Sequence, residues 1–226
     1  QLDFEMAFAT QEDVFSVGEK VLYETFKKFA PQAKITSLPF PVIPYAQAML
    51  EFGTDKPDLR NPLRIIDLTE FFSRCTFKPF IGSTVRAIKV HAEMSKGFHE
   101  KLLEYALSIG MGGLGYLEVG EDLSFKGPID KFIPQELKGE LIKLASLKSG
   151  DTIFFIADSP SHAPRLAGLI RTELGKRLSL TEEDAFRFCF VNDFPMYEQD
   201  EETGKIVFTH NPFSMPQGGL QAREEK

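Results

Sequence analysis

The stretch Val85-Arg86-Ala87-Ile88-Lys89-Val90 is typical of a β-strand and begins the most regular part of this sequence. After it, segments with helical and strand periodicity alternate over roughly ninety residues, which predicts a small α/β or α+β domain. The predicted elements are a helix near 96–109, a strand at Gly115–Val119, helices near 129–133 and 135–146, and a strand at 152–157.

Helices and short strands are also predicted on either side of this block. Thr10 with Asp13 forms the pattern of a capping box for a helix that ends near Phe29. A second, shorter helix begins at Tyr45 and is ended by Gly53. The remaining elements are a strand at 65–68, a short helix from 70, a helix at 161–179, a strand at 186–191, and a hairpin of 196–199 with 206–209.

The composition is that of an ordinary globular protein. Hydrophobic residues make up 42% of the 226 residues and charged residues 26%, with a mean hydropathy of −0.15. No apolar run approaches the roughly 18 residues that cross a bilayer, which excludes a transmembrane protein. The net charge of −7 disfavours a nucleic-acid coat protein and is compatible with a local RNA-binding surface.

The cysteine content bears on the cellular compartment of the protein, and the two chain ends bear on whether the chain is part of a longer protein. Cys75 and Cys189 are too few for a disulfide scaffold, so we expect reduced thiols in a cytoplasmic protein. The chain opens on Gln1 and closes on a charged, helix-prone stretch at 221–226. We therefore interpret it as a piece of a longer protein, in which parts of any active site lie elsewhere.

A glycine-rich stretch and four histidines are weak candidates for sites. Gly110, Gly112 and Gly115 match the G-x-G-x-x-G dinucleotide pattern, but a predicted helix precedes them and a predicted strand follows. In a nucleotide site the order is reversed, so that the phosphate meets a helix N-terminus, and we reject this site. The spacing of the histidines predicts no zinc site, and neither a Walker A nor a G-x-S-x-G pattern is present. The histidines are His91, His99, His162 and His210.

The first eight residues alternate like a β-strand, with bulky apolar side chains on one face and polar side chains on the other. The apolar face comprises Leu2, Phe4, Met6 and Phe8, and the polar face comprises Gln1, Asp3 and Glu5. One interpretation is a half-exposed strand whose polar face is solvated. The other is a strand whose polar face forms the floor of a pocket, where Asp3 pairs with a cationic group and Gln1 adds a hydrogen bond.

Two polar stretches flank the predicted hairpin. Val191-Asn192-Asp193-Phe194-Pro195-Met196 leads into it, and Thr209-His210-Asn211-Pro212-Phe213-Ser214-Met215-Pro216 follows it. Polar side chains between two prolines are typical of an ordered loop with hinges that closes over a ligand. The alternative is a surface turn whose polar side chains hydrogen-bond their own backbone.

Four segments carry a resemblance to a known family. They are Gln1-Leu2-Asp3-Phe4-Glu5-Met6, Phe52-Gly53-Thr54-Asp55-Lys56-Pro57-Asp58-Leu59-Arg60, Val191-Asn192-Asp193-Phe194-Pro195-Met196 and His210-Asn211-Pro212-Phe213. Together, and in this order, they resemble the bacterial-type aspartyl-tRNA synthetases, and the second segment is the most specific. The block at 76–160 resembles the GAD domain, an insertion that this group shares with a subunit of a tRNA-dependent amidotransferase.

The resemblance implies an α+β fold. A class II synthetase catalytic domain, an antiparallel sheet with flanking helices that is incomplete here, would be interrupted by a small α/β insertion domain. The catalytic domain would occupy 1–75 and 161–226, and the GAD-like insertion domain 76–160. The opening strand would be the second strand of the family's motif 2. Motif 1, the arginine-bearing first strand of motif 2, and motif 3 are not found, so the isolated chain is expected to be inactive.

The resemblance also implies roles for particular residues. Gln1 and Asp3 would contact the α-ammonium group of aspartate, and His210 would reach the bound aspartate from a mobile loop. Glu5 and Asn211 are further candidates for the same site, and many relatives carry a second histidine where this chain has Asn211. No residue of the chain is assigned a catalytic or a metal-binding role.

The implied activity is that of an aspartate–tRNA ligase. The carboxylate of aspartate would attack the α-phosphate of ATP to give aspartyl-adenylate, and the aspartyl group would then move to the 3′ end of tRNA. Positioning, and charge neutralisation by arginine and Mg²⁺, would carry the catalysis. The implied partners are aspartate, ATP, tRNA(Asp), with tRNA(Asn) as a further candidate, and a second copy in a homodimer, without a membrane.

Two alternatives stay open. The first is a GAD-containing subunit of a tRNA-dependent amidotransferase, a binding module without synthetase chemistry, which has no use for the opening strand or for His210-Asn211-Pro212-Phe213. The second is an insertion domain that acts separately as a docking surface for protein or RNA. Its lysines, such as Lys89, Lys96 and Lys101, are also typical of a solvated face.

Overall fold

The computed structural model describes residues 2–92, 94–200 and 203–209. The helices are α1 (Gln11–Phe29), α2 (Tyr45–Phe52), α3 (Thr69–Ser73), α4 (Lys96–Ser108), α5 (Gln135–Leu144) and α6 (Ala163–Arg177), with single 3-10 turns at Lys78–Phe80 and Asp130–Phe132. The strands are β1 (Lys34–Ile35), β2 (Val42–Pro44), β3 (Ile65–Asp67), β4 (Thr84–His91), β5 (Gly115–Val119), β6 (Phe125–Lys126), β7 (Asp151–Asp158), β8 (Ala185–Phe186), β9 (Phe190–Asn192), β10 (Tyr197–Gln199) and β11 (Ile206–Phe208). No helix within these ranges is long and apolar enough to cross a membrane.

The first two helices begin and end as the sequence predicts. The backbone N–H of Asp13 donates to Thr10 Oγ1 at 3.3 Å, and the backbone N–H of Thr10 donates to the Asp13 carboxylate at 2.9 Å. This capping box satisfies N–H groups at the start of α1 that have no partner within the helix. At the end of α2, Gly53 has φ 69°, the left-handed conformation that commonly follows a helix.

The centre of the fold is a five-stranded sheet in the order β3-β4-β7-β5-β6, in which every neighbouring pair is antiparallel. The predicted strands at 85–90 and 152–157 are the paired strands β4 and β7. The chain is therefore a mixed α/β structure with an antiparallel sheet flanked by helices, as expected. Because β3 pairs with β4, the sheet extends across the predicted domain boundary at residue 75. This boundary and the one at residue 160 stay predictions.

Helices cover both faces of this sheet because the side chains of its strands alternate in direction. On β7, Ile153 and Phe155 pack in one apolar cluster with residues of α3 and α5. Phe154 and Ile156 pack in a second cluster with residues of α4 and α6. The core thus lies in two layers, and α6 is packed against the sheet.

Two short parallel strand pairs, β1 with β8 and β2 with β9, join the segments before and after the sheet. The prediction of one strand at 186–191 is wrong, since the structure divides it into β8 and β9. Between them, the N–H of Phe188 donates to Thr36 Oγ1 at 2.8 Å and not to a strand. The strands that pair with β8 and β9 are β1 and β2, and Pro39 and Pro41 lie between them. Proline has no backbone N–H to donate to a neighbouring strand.

The prediction of an opening strand is also wrong for the part of it that the structure describes. Residues 2–9 have no strand assignment. A strand needs a neighbour for its backbone hydrogen bonds, and none of the described strands pairs with this segment. Its apolar side chains are exposed, and Phe4 and Met6 lie beside Val14 and Val17 of α1.

Candidate functional site

Three of the five site residues predicted from the sequence lie outside the described residues. These are Gln1, His210 and Asn211. Asp3 and Glu5 are described, and both are exposed in the opening segment that forms no strand. The structure therefore places two of the five residues, and the roles of all five stay predictions.

The turn Gly53–Arg60, the most specific segment of the sequence, is held against α6 by Arg171. The Arg171 side chain is buried, and its guanidinium donates to the backbone carbonyls of Asp58, Asn61 and Leu63 at 2.7 to 3.0 Å. Burial, and then the nearby positive charge of Arg64, lowers the pKa of Arg171 to about 10. The guanidinium therefore stays protonated at neutral pH, and the carbonyl oxygens replace the water that it loses.

Glycines allow the turn and α6 to approach each other closely. A Cβ on Gly53, whose φ is +69°, would lie 2.1 Å from the Pro164 carbonyl oxygen and 2.6 Å from the Gly168 nitrogen. A Cβ on Gly168 would lie 2.8 Å from the Gly53 carbonyl oxygen, and one on Gly175 would lie 2.3 Å from the Asn61 amide. Because much of this space is filled by backbone, a larger residue would push the turn away from the helix.

Ion pairs and hydrogen bonds within the turn fix its shape further. Arg60 donates from Nε and Nη2 to the two carboxylate oxygens of Asp58 at 2.9 and 2.8 Å. These hydrogen bonds hold the pKa of Asp58 below its ordinary value. The backbone N–H of Lys56 donates to Thr54 Oγ1 at 3.2 Å. Side chains of the turn thus pair within the turn, while its backbone is held by Arg171 of α6.

The ends of β2 and β9 supply an aromatic pair beside this turn. The two strands are parallel, so their carboxyl ends meet at the same edge. Tyr45 follows β2 directly and Phe194 follows β9 after Asp193. The ring centroids of Tyr45 and Phe194 are 5.0 Å apart, with an interplanar angle of 44°. Segments from before and after the sheet therefore meet in one aromatic contact.

The turn, the aromatic pair and the start of α6 border a cleft of about 400 Å³, which we call the turn–helix cleft. This volume is typical of a small-ligand site. Thr209, which precedes His210 in the sequence, lies at the cleft and donates to the Pro195 carbonyl. The cleft is lined by the apolar residues Tyr45, Met49, Phe194 and Pro195, by Gly53, and by the polar residues Thr54, Asp55, Ser161, Arg165, Glu198 and Thr209.

Among its described lining residues the cleft carries one cation, Arg165, and two carboxylates, Asp55 and Glu198. Asp55 forms an ion pair with Lys56 at 2.6 Å, so these two charges offset each other. Arg165, on the first turns of α6, is exposed and makes no ion pair within the described residues. Glu198 is exposed on β10 and adds a negative charge. The cleft therefore places one guanidinium that makes no ion pair among the described residues beside an apolar and aromatic wall.

Three of the four histidines singled out in the sequence pair with carboxylates and do not line this cleft. His91 Nδ1 lies 2.9 Å from the buried carboxylate of Asp151. His99 Nε2 lies 3.0 Å from the exposed carboxylate of Glu118, and His162 Nδ1 lies 3.4 Å from the carboxylate of Asp158. The His99 ring also stacks on Tyr116 at 4.0 Å. Among residues 2–92, 94–200 and 203–209, no three His, Cys, Asp or Glu side chains are grouped to hold a metal ion.

Sequence reasoning did not single out Tyr45, Phe194, Arg165 or Arg171 as site residues. For Arg171 a signal exists, because it lies between two glycines at helical spacing on one face of α6. The other three come from separate segments, and their contact depends on the pairing of β2 with β9. The periodicity of each segment does not predict which residues of separate segments come into contact.

A family profile and several known proteins match this chain over its whole length. The sequence profile of tRNA synthetases class II (D, K and N) matches residues 1–226. The aspartate–tRNA(Asp/Asn) ligase of Rickettsia conorii is 50% identical over 233 residues, covering 100% of this chain and 38% of the relative. The proteins of the same name from Rickettsia felis and Rickettsia africae are 49% and 50% identical with the same coverage, so the chain spans 38% of the length of these curated relatives. Because the family profile matches from the first residue to the last, the chain belongs to the class II tRNA synthetases of the D, K and N group.

Proposed function

We propose that the protein to which this chain belongs is an aspartate–tRNA ligase. One observation carries the proposal: the chain is 50% identical, over its whole length, to a protein named aspartate–tRNA(Asp/Asn) ligase. The amidotransferase alternative accounts for residues 76–160 alone. It gives no reason for similarity in the turn Gly53–Arg60, which α6 holds in place from beyond that block.

The proposed reaction has two steps. The carboxylate of aspartate attacks the α-phosphate of ATP, so that aspartyl-adenylate forms and pyrophosphate leaves. A hydroxyl of the terminal ribose of tRNA then attacks the aspartyl carbonyl, and AMP leaves. Neither step needs a covalent intermediate on the protein, so its contribution is to position the substrates and to stabilise the charge that develops.

The aspartate site is proposed at the two ends of the chain. The carboxylate of Asp3 accepts a hydrogen bond from the α-ammonium group of aspartate, and Gln1 adds a second contact. His210 reaches the bound aspartate from its loop, with Glu5 and Asn211 as further contacts. The exposure of Asp3 and Glu5 supports this assignment, because neither carboxylate is buried by the described residues.

The finer domain organisation is part of the same proposal. Residues 1–75 and 161–226 form two parts of a class II catalytic domain, and 76–160 form a GAD-like insertion domain. The parallel pairs β1·β8 and β2·β9 support it, since they join the two outer parts. In the complete protein, further strands would pair with residues 1–8 and convert them into the second strand of motif 2.

ATP and Mg²⁺ are proposed to act in the complete protein. Mg²⁺ is usually held by one or two carboxylates together with substrate phosphates. Among the described residues no three metal-binding side chains are grouped, so the substrate phosphates would have to supply part of the coordination. No step is therefore assigned to Mg²⁺ within this chain.

The names of the relatives support tRNA(Asp) and tRNA(Asn) as the RNA substrates. We also propose that the complete protein is a homodimer in the cytoplasm. The isolated chain does not activate aspartate under this proposal, because it spans 38% of the length of the relatives.

Aminoacylation by the full-length protein tests the proposed function. The protein is incubated with ATP, Mg²⁺, labelled aspartate and purified tRNA(Asp) or tRNA(Asn). We expect aspartate to be transferred to tRNA(Asp), and labelled asparagine and lysine serve as matched controls because the family covers D, K and N. A folded protein that charges neither tRNA with aspartate would contradict the proposal.

A further inference from the structure

We propose that a pocket in the block 76–160 binds a small organic ammonium ion, with its apolar or aromatic body inside and its charged nitrogen at Asp158. The pocket has a volume of about 480 Å³, which lies in the range of small-ligand sites. We call it the phenylalanine–glycine pocket. It shares no residue with the turn–helix cleft or with the proposed aspartate site, so the inference does not depend on the proposed function.

Phenylalanine rings form the apolar wall of this pocket. The rings of Phe77, Phe80 and Phe155 line it. The ring centroids of Phe77 and Phe80 are 4.7 Å apart, and those of Phe80 and Phe155 are 6.2 Å apart. Phe80 and Phe155 are buried and form the floor, whereas Phe77 is half-buried at the side. Because the rings pack on one another, the wall exists before a ligand arrives, which reduces the entropy lost on binding.

The glycine-rich stretch that matches the dinucleotide pattern forms another wall of the pocket. Gly110 has a φ of +94°, which favours glycine, and a Cβ on Gly115 would lie 2.8 Å from a neighbouring side chain. Gly112 and Gly113 differ, because neither has a positive φ and a Cβ on either would meet no atom within 4 Å. Both line the pocket. Neither conformation nor packing among the described residues requires glycine at these two positions, and both leave space for a ligand.

Asp158 gives the pocket its charge. It is the single charged residue among the described lining residues. The backbone N–H of Ser159 donates to Asp158 Oδ1 at 2.7 Å, and His162 Nδ1 lies 3.4 Å from the same oxygen, which is long for a hydrogen bond. A carboxylate has two oxygens with about four lone-pair sites, so Asp158 can also accept hydrogen bonds from an ammonium group. Beside apolar walls this attraction is stronger than in water.

The same construction favours a cation over a neutral molecule and disfavours an anion. The face of a phenylalanine ring attracts an ammonium ion that lies within about 6 Å of the ring centre. No Lys or Arg lines the pocket among the described residues, so a phosphate or carboxylate group would find no cation there. Asp158 would also repel such a group. Nucleotides, RNA and free aspartate are therefore poor ligands for this pocket.

Three ligands of similar size and different charge test the proposed class. Isothermal titration calorimetry measures the binding of phenethylamine, phenethyl alcohol and phenylacetate to the full-length protein at neutral pH, where the amine is protonated. We expect the ammonium ion to bind at least about fivefold more tightly than the alcohol, and phenylacetate to bind most weakly. Equal affinity for the ammonium ion and the alcohol would overturn the inference. Absence of saturable binding of the ammonium ion up to about 10 mM would overturn it as well.

A pair of carboxylate variants tests the contact with the ammonium group. Asp158→Asn keeps the shape of the side chain and removes its charge, and Glu104→Gln removes an exposed carboxylate of α4 that does not line the pocket. We expect Asp158→Asn to weaken phenethylamine binding by at least about fivefold and to leave phenethyl alcohol binding within about twofold of wild type. Glu104→Gln should bind both ligands as wild type does. Equal losses in the two variants would indicate a general charge effect and overturn the inference.

A glycine variant tests whether the ligand lies in the pocket. The double variant Gly112→Leu/Gly113→Leu fills the space beside the two glycines. Gly139→Leu is the matched control, because a Cβ there also meets no atom within 4 Å but Gly139 does not line the pocket. We expect the double variant to weaken binding of both phenethylamine and phenethyl alcohol by at least about tenfold, and Gly139→Leu to bind as wild type does.

Thermal unfolding shows whether the double variant is folded. A folded double variant that binds phenethylamine as tightly as wild type would place the ligand elsewhere and overturn the inference. If the double variant does not fold, the comparison of Asp158→Asn with Glu104→Gln decides. Aspartate-dependent pyrophosphate exchange by the same preparations tests the proposed function separately, so either proposal can fail without the other.

Discussion

Asn61 and Arg171 each bind the backbone of the other. Asn61 Nδ2 donates to the Arg171 carbonyl at 2.9 Å, and Arg171 Nη2 donates to the Asn61 carbonyl at 2.7 Å, although the two residues are 110 positions apart in sequence. Both side chains are buried. The contact joins the end of the turn Gly53–Arg60 to α6, so two segments separated by most of the sheet share one rigid connection.

Replacing Arg171 should therefore destabilise the fold strongly. Arg171→Met removes the shorter, buried hydrogen bonds to the carbonyls of Asn61 and Leu63 and leaves them only the longer ones from Arg64, and we expect the free energy of unfolding to fall by about 3 kcal/mol. Arg64→Met is the matched control, because Arg64 also donates to these carbonyls but is partly exposed. Its loss should cost less than about 1 kcal/mol. Urea denaturation measures both, and similar losses would show that burial of Arg171 does not stabilise the turn.

The close approach at Gly53 predicts a contrast between two glycine substitutions. Gly53→Ala introduces a Cβ at a positive φ and 2.1 Å from a backbone oxygen, and should destabilise by about 3 kcal/mol or more. Gly139→Ala lies in α5 with no atom within 4 Å of the new Cβ. It should stabilise the protein by about 0.5–1 kcal/mol through higher helix propensity. Thermal unfolding distinguishes the two, and a Gly53→Ala variant as stable as wild type would contradict the described packing.

Glu182 makes the pairing of β1 with β8 sensitive to acid. Hydrogen bonds from Arg187, together with the ion pair to Lys34, lower the pKa of Glu182 from 4.5 to about 2. A carboxylate with a lowered pKa stabilises the folded state above its unfolded pKa, and this contribution is lost as the pH falls from about 4.5 to about 2.

The matching experiment compares Glu182→Gln with Glu183→Gln, its exposed neighbour. Urea midpoints are recorded from pH 7 to pH 2. Glu182→Gln should be less stable than wild type at pH 7, and the difference should vanish towards pH 2. Glu183→Gln should show no such pH-dependent difference, and a constant difference for Glu182→Gln at every pH would count against the ion pairs as its cause.

Asp3 offers a test of the proposed aspartate site. In the full-length protein, Asp3→Ala removes a charge-assisted hydrogen bond to the substrate and should lower kcat/KM by roughly 30- to 150-fold. Glu24→Ala, an exposed acidic position on α1, is the matched control. His210→Ala should mainly raise the KM for aspartate. An effect of Asp3→Ala below about threefold would rule out its role.

Local signals in the sequence predicted the elements that depend on local causes. The reciprocal bonds of Thr10 and Asp13 start α1, and the left-handed Gly53 ends α2. The strands β4 and β7 were also predicted correctly, and their side chains pack on both faces of one sheet. In each case the residues that determine the element lie within it or within a few positions of it.

The elements that were predicted wrongly depend on distant partners. Residues 2–9 alternate like a strand but have no neighbouring strand among the described residues. Residues 186–191 read as one strand, yet Pro39 and Pro41 divide the partner side into two. The turn–helix cleft was missed for the same reason, because Tyr45 and Phe194 meet only when β2 pairs with β9. A periodic pattern indicates which secondary structure a segment can form. Pairing with other segments determines whether that structure forms.

ATP–pyrophosphate exchange by the full-length protein, measured without tRNA, tests whether that protein activates aspartate. We expect exchange that requires aspartate and that asparagine and lysine do not support. No exchange with aspartate, from protein that is demonstrably folded, would contradict the proposed function and would favour a binding module without synthetase chemistry.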